Sequence, residues 1–148
     1  MHILIATDGS QRSIRAAHKA TELLKAADHV TLLSVLTEVP GDDAGGIEGS
    51  VYTVNEQEQL WNEEMAEARD ELSRTAAALS PTRVDKRIAV GDVAQTVVRI
   101  AEEIHADAIV VGSHGRTGLE RLFLGSVSEH VVRHAHCPVL VVREPKED

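Results

Sequence analysis

Residues 110–126 read VVGSHGRTGLERLFLGS: the end of an apolar strand, a loop punctuated by glycines, and the start of a helix. The spacing is glycine, two residues, glycine, nine residues, then glycine-serine, set by Gly112, Gly115, Gly125 and Ser126. Gly112 and Gly115 are expected to take positive φ and to approach a ligand with no Cβ in the way. Gly125 is expected to do the same just before the helix. Ser126 is expected to cap that helix, with Glu129 three residues on completing a capping box. The free N–H groups of the first turn, at the positive end of the helix dipole, then face outward as an anion site. Glycines after a strand can equally make a turn with no ligand, so the spacing alone leaves the function open.

Three better-known signatures do not fit this stretch. Walker A requires a lysine before the serine that follows its last glycine, and none is present. The dinucleotide fingerprint needs glycines closer together. In Gly112-Ser113-His114-Gly115 the serine has the wrong offset for a nucleophile elbow.

Working outward, apolar runs and helical patterns alternate. His2 to Ala6 (HILIA) is a strand ending at the turn signal Thr7-Asp8-Gly9. A helix follows, with Ser10 as N-cap and Ile14, Ala17, Thr21 and Leu24 on one face. Val30 to Leu36 is the second strand. The stretch from Thr37 to Thr53 has no clear period, and a loop of that length is unusual; it is either a lid or a connector without function. A polar helix over Val54 to Leu79 shows a weak inner face of Leu60, Glu64, Ala68, Leu72 and Ala76. Val84 to Val90 is the third strand, and Asp92 and Gln95 have capping-box spacing before a helix whose inner side is Val93, Val97, Ile100, Ala101 and Ile104. Asp107 to Val111 is the fourth strand. A helix over Ser126 to Ala135 ends at Cys137-Pro138, and Val139 to Val142 is the fifth strand. The alternation predicts an α/β fold, an open five-stranded parallel sheet with helices on both faces, in a single domain spanning 1–148.

Composition agrees. Hydrophobic residues make up 43% of the 148, and the aromatics are only Tyr52, Trp61 and Phe123, so the core must be aliphatic, as in a buried parallel sheet. The formal net charge of −9 disfavours nucleic acid and anionic membrane surfaces as partners. One cysteine, Cys137, permits no intrachain disulfide, and no apolar run is long enough for a membrane span. With no signal-peptide pattern at MHILIATDGS, the expectation is a cytoplasmic protein. His130 and His134 have the spacing of a two-histidine metal face, but no acidic partner is evident, and they are read with His136 as surface histidines.

Three separated motifs carry a resemblance over essentially the whole chain: Ile3 to Ser10 (ILIATDGS), Ala106 to Gly115 (ADAIVVGSHG) and Leu124 to Val142 (LGSVSEHVVRHAHCPVLVV). The chain resembles the universal stress proteins, and its glycine spacing is the signature of their ATP-binding branch. The resemblance implies a Rossmann-like sheet of strand order 3-2-1-4-5, with the ligand in the crevice beyond strands one and four. It implies that Ala6, Thr7 and Asp8 border the nucleotide, Asp8 near the phosphates or their Mg²⁺ or Mn²⁺. Val35 would pack on adenine and Val111 on the nucleoside, and His114 would touch phosphate or ribose. Val127 and Ser128 would donate backbone N–H groups beside Gly125 and Ser126. Arg116 either screens the γ-phosphate or points to solvent. The resemblance further implies a homodimer through the edge strand Val139 to Val142.

The function implied is an ATP-dependent regulatory module in stress response, with no catalytic residue assigned. Slow ATP hydrolysis, or an interaction module for another adenine nucleotide such as AMP or cyclic AMP, are the alternatives. The sequence offers Asp8 and His114 near the phosphates but no Walker lysine, so turnover as a main task is not expected.

Overall fold

The structure, a computed structural model, describes residues 1–37, 53–79, 83–113 and 124–143. The strands are β1 (His2–Ala6), β2 (His29–Leu36), β3 (Arg83–Val90), β4 (Ala108–Gly112) and β5 (Val139–Val142). The helices are α1 (Gln11–Leu23), α2 (Val54–Ala77), α3 (Val93–Glu103) and α4 (Ser126–His134). All strand pairs are parallel, in the order β3-β2-β1-β4-β5. This is the predicted α/β architecture and strand order.

Successive residues of β1 serve opposite faces of the sheet, as a period of two requires. Ile3 and Ile5 join Ala17 and Ala20 of α1 and Leu72 of α2 in one apolar layer. Leu4 joins Val97, Ile100 and Ala101 of α3 and Val131 of α4 in the other. The central strands read as continuous Val/Ile/Leu runs because both of their faces are covered.

The predicted boundaries hold to within one or two residues: β2 and β3 start one residue earlier than expected, β4 is shifted by one, and the remaining differences lie at the C-terminal ends of helices. Leu24 and Ile104 prove to be C-caps rather than helical positions. Ser10 is the N-cap of α1, its side chain accepting from the Ser13 N–H. The Asp92 carboxylate accepts from the Gln95 N–H at 2.9 Å. The inner face assigned to α2 needs correction. Ala68, Glu71, Leu72 and Thr75 are its buried residues, whereas Glu64 is exposed. A strict four-residue step advances 40° too far at each repeat of a helix with 3.6 residues per turn, about 80° by Glu64 when counted back from Leu72.

Candidate functional site

β1 leads through α1 to β2 on one side, and β4 leads through α4 to β5 on the other. The two adjacent central strands therefore send their connections in opposite directions. A crevice opens beyond their C-terminal ends, the place where open α/β sheets bind ligands.

The first wall is the turn after β1. The Thr7 N–H donates to the Leu33 carbonyl at 2.9 Å, which extends the β1–β2 ladder one residue into the turn. The Thr7 hydroxyl accepts from the Gly9 N–H at 3.2 Å and is hydrogen-bonded to the Ser13 hydroxyl at 2.9 Å. Oδ1 of Asp8 accepts from the Ser10 N–H at 3.0 Å, an Asx turn. Gly9 has φ +73°, the left-handed region. A Cβ there would lie 2.2 Å from Cδ of Glu71, so glycine is required by both conformation and space.

The second wall is the end of β4 with the start of α4. The Ser113 N–H donates to the Val142 carbonyl, and the Gly125 N–H donates to the Ser113 carbonyl, each at 3.0 Å. The two ends of the glycine loop are thus clasped together. The Ser128 hydroxyl, buried, donates to the Gly112 carbonyl oxygen at 2.6 Å.

Three sequence expectations fail here. Ser126 is the first residue of α4, and the N-cap is Gly125, so no Ser126–Glu129 capping box forms. Gly125 has φ −61° and ψ 158°, ordinary extended backbone, and does not need glycine for its conformation. Gly112 is a strand residue paired with Val142 and is not among the glycines with positive φ. The consequence for chemistry is favourable. A glycine cap has no side chain to accept the N–H groups of Ser126, Val127 and Ser128, so no N-cap side chain covers the positive end of α4. The Glu129 carboxylate in the first turn pairs with Arg133 at 2.8 Å.

The other predicted site residues distribute as follows. Ala6 ends β1 and Val111 lies in β4, so both sit where the crevice opens. Val35, half-buried near the end of β2, packs against the α3/α4 layer. His114 and Gly115, with Arg116 and the stretch 38–52, lie outside the described residues. Glu71 was missed in the sequence, because a carboxylate on a polar helix is ordinarily solvated.

A metal carried by a bound phosphate group would find one hard oxygen ligand here, the Asp8 carboxylate. Mg²⁺ commonly takes one or two carboxylates and completes its shell with phosphate oxygens and water. Among the described residues no three His, Cys, Asp or Glu side chains gather to form a protein-only metal site. The His130 and His134 rings stack at 4.1 Å, and His134 Nδ1 donates to the His130 carbonyl at 2.8 Å.

A parallel sheet of this order, with a glycine turn after β1 facing a helix start that has no side-chain cap, defines an open, doubly wound α/β domain. Residues 1–143 match the universal stress protein family, and the chain belongs to that family. Universal stress protein MJ0531 of Methanocaldococcus jannaschii is 38% identical over 99% of this chain and 84% of its own length. The solved structure of MJ0577, from the same organism, superposes with a TM-score of 0.79 at 29% identity, covering 99% of this chain and 97% of that one. A universal stress protein solved in complex with cAMP superposes with a TM-score of 0.64 at 26% identity, covering 96% and 95%. No helix among the described residues is long and apolar enough to cross a membrane.

Proposed function

We propose that this chain binds ATP, with Mg²⁺ or Mn²⁺, in the crevice between Thr7-Asp8-Gly9 and the start of α4, and acts as a nucleotide-dependent regulatory module in stress response. The single observation that carries the reading is the side-chain-free N-cap of α4, Gly125, beside the topological switch point. An uncapped helix start in that position suits a phosphate chain. In this reading Ala6, Thr7 and Asp8 border the nucleotide and Val35 packs on adenine. Val111 and Gly112 floor the site, and the amides of Gly125, Ser126, Val127 and Ser128 hold phosphates. His114 and Gly115 complete the loop, and Asp8 shares the cation with the phosphates. The protein works as one cytoplasmic domain that pairs with a second copy through β5.

AMP and cyclic AMP are the second reading, favoured by the cAMP complex of the relative. The two share the adenosine contacts and differ in the phosphates. Mass spectrometry of the nucleotide that co-purifies with the native protein separates them: ATP is expected. Recovery of AMP or cyclic AMP alone selects the second reading. A protein that carries no nucleotide and binds none of the three when they are added refutes both.

A further inference from the structure

Asp8 lies on a turn whose two ends, Thr7 and Ser10, are joined by one residue. Ser13, in the first turn of α1, reaches back to both. Its N–H donates to the Ser10 hydroxyl oxygen at 3.1 Å, and its hydroxyl donates to the Ser10 carbonyl at 2.9 Å. Its oxygen also lies 2.9 Å from the hydroxyl of Thr7, a buried residue. A hydroxyl has one proton, and a carbonyl can only accept. The Ser13 proton is committed to Ser10, so in the remaining bond Thr7 donates and Ser13 accepts. The Thr7 oxygen in turn accepts from the Gly9 N–H at 3.2 Å, and Oδ1 of Asp8 accepts from the Ser10 N–H at 3.0 Å. Thr7 and Ser10 thus bracket Asp8-Gly9, and the Ser13 hydroxyl fixes the separation of the bracket.

We propose that Ser13 is a positioning residue of the nucleotide site: by tying Thr7 to Ser10, its hydroxyl holds the Asp8 carboxylate in place for the cation carried by the phosphates. This rests on the nucleotide-binding reading above. Without the Ser13 hydroxyl the N-cap of α1 survives, because the Ser10 side chain takes the Ser13 N–H. The helix therefore still starts at the same residue. What is lost is the tie from Thr7 to Ser10, and the turn between them gains freedom. Mg²⁺ demands near-ideal octahedral geometry, so cation-dependent binding is the quantity most sensitive to that freedom. Adenosine brings neither phosphate nor cation and is insensitive to it.

The test is calorimetric titration with ATP in excess Mg²⁺, with ATP in EDTA, and with adenosine. The proteins are the wild type, Ser13→Ala, Ser13→Thr, Asp8→Asn, the double variant Asp8→Asn/Ser13→Ala, and the control Thr21→Ala. Thr21 also donates its hydroxyl to the carbonyl three residues before it, that of His18 at 2.8 Å, but sits near the far end of α1. Ser13→Ala is expected to bind Mg²⁺-ATP about three- to tenfold more weakly than the wild type, with metal-free ATP and adenosine changed by less than about twofold. Ser13→Thr keeps the hydroxyl and should restore the wild-type affinity, and Thr21→Ala should match it. Asp8→Asn should itself weaken Mg²⁺-ATP, and adding Ser13→Ala to it should cost less than about a further twofold. Without ligand, the Gly9 and Ser10 amides of Ser13→Ala should exchange with D₂O about threefold faster or more. The proposal is overturned if Ser13→Ala binds Mg²⁺-ATP as well as the wild type, if adenosine or Thr21→Ala loses as much, or if Ser13→Thr does not restore binding. Full additivity of the Asp8 and Ser13 changes, an Asp8→Asn variant that binds normally, or unchanged amide exchange would overturn it too. Failure of Ser13→Ala to fold would do the same, by assigning Ser13 to structure alone. A wild type that binds none of the ligands overturns the nucleotide reading itself, and this is seen before any variant is compared.

Discussion

The Ser128 hydroxyl donates to the carbonyl oxygen of Gly112 at 2.6 Å, so the first turn of α4 is bolted to the last residue of β4. The two residues are 16 apart in the chain, with the glycine loop between them. Ser128 therefore has two tasks: its side chain fixes where α4 begins, and its amide belongs to the candidate anion site. Ser128→Ala should leave that carbonyl without its donor and cost about 1–2 kcal/mol of stability, read as a lower denaturant midpoint with an unchanged slope. Nucleotide affinity should fall as well, because the helix start loses its anchor.

Gly125→Asp separates stability from binding. The Gly125 backbone is at φ −61° and ψ 158°, which any residue adopts. Aspartate there would cap α4 and raise stability by a few tenths of a kcal/mol. The same carboxylate would occupy the anion site. ATP affinity should drop at least about tenfold while the melting temperature holds or rises. A variant that binds ATP as well as the wild type would move the phosphates away from α4.

Gly9→Ala meets two obstacles, a φ of +73° and the Glu71 carboxyl group 2.2 Å from the new methyl. The expected loss is about 2 kcal/mol or more, measured by chemical denaturation. In Gly9→Ala/Glu71→Ala the steric part should be relieved and only the conformational part should remain. The shortfall from additivity reports the contact.

The opposite end of the sheet, where β1 and β2 begin, predicts a pH response. The His2 and His29 rings stack at 3.7 Å, His2 Nε2 is hydrogen-bonded to the Thr31 hydroxyl, and His29 Nε2 donates to Asp85 at 2.6 Å. Burial, and then the charge of His29, hold the His2 imidazole below its ordinary 6.5. The folded state thus binds a proton at His2 less readily than the unfolded chain. Its contribution is complete above 6.5 and is lost as the pH falls from there through the lower folded value. The Asp28 carboxyl, held down by the N-terminal ammonium, and the Asp85 carboxyl, held down by His29, act in the same direction at still lower pH, below 3.8. Denaturation midpoints should decline through the mildly acidic range, and His2→Gln should flatten that decline.

The outer edge of β5 tests the proposed pairing of two copies. The carbonyls of Pro138 and Val142 accept from β4, so alternation turns the backbone groups of Val139 and Val141 outward. Val141→Pro removes an outward N–H and spares the β4 ladder. Sedimentation should show the wild type as a dimer and Val141→Pro as a folded monomer. A wild type that stays monomeric at high concentration would refute the pairing.

Much of this architecture was legible because the strands are short aliphatic runs and Ser10 and Asp92 are local signals. The start of α4 was misread for a local reason. Ser126 and Glu129 have capping-box spacing, but the bond from Ser128 to Gly112 fixes the helix one residue earlier, and no local pattern contains that contact. Glu71 was illegible for a nonlocal reason. Its burial arises only when α2 docks on the turn after β1, 62 residues earlier in the chain at Gly9. The strand order came from the family resemblance and not from periodicity, which fixes what each strand is but not which neighbour it takes.

The central claim is that the crevice between Thr7-Asp8-Gly9 and α4 is an adenine nucleotide site. Its most direct test is isothermal titration of the purified, nucleotide-stripped chain with ATP and Mg²⁺. One saturable site per chain, lost in Gly125→Asp, is the predicted result. No measurable binding by a chain that circular dichroism shows to be folded would contradict it.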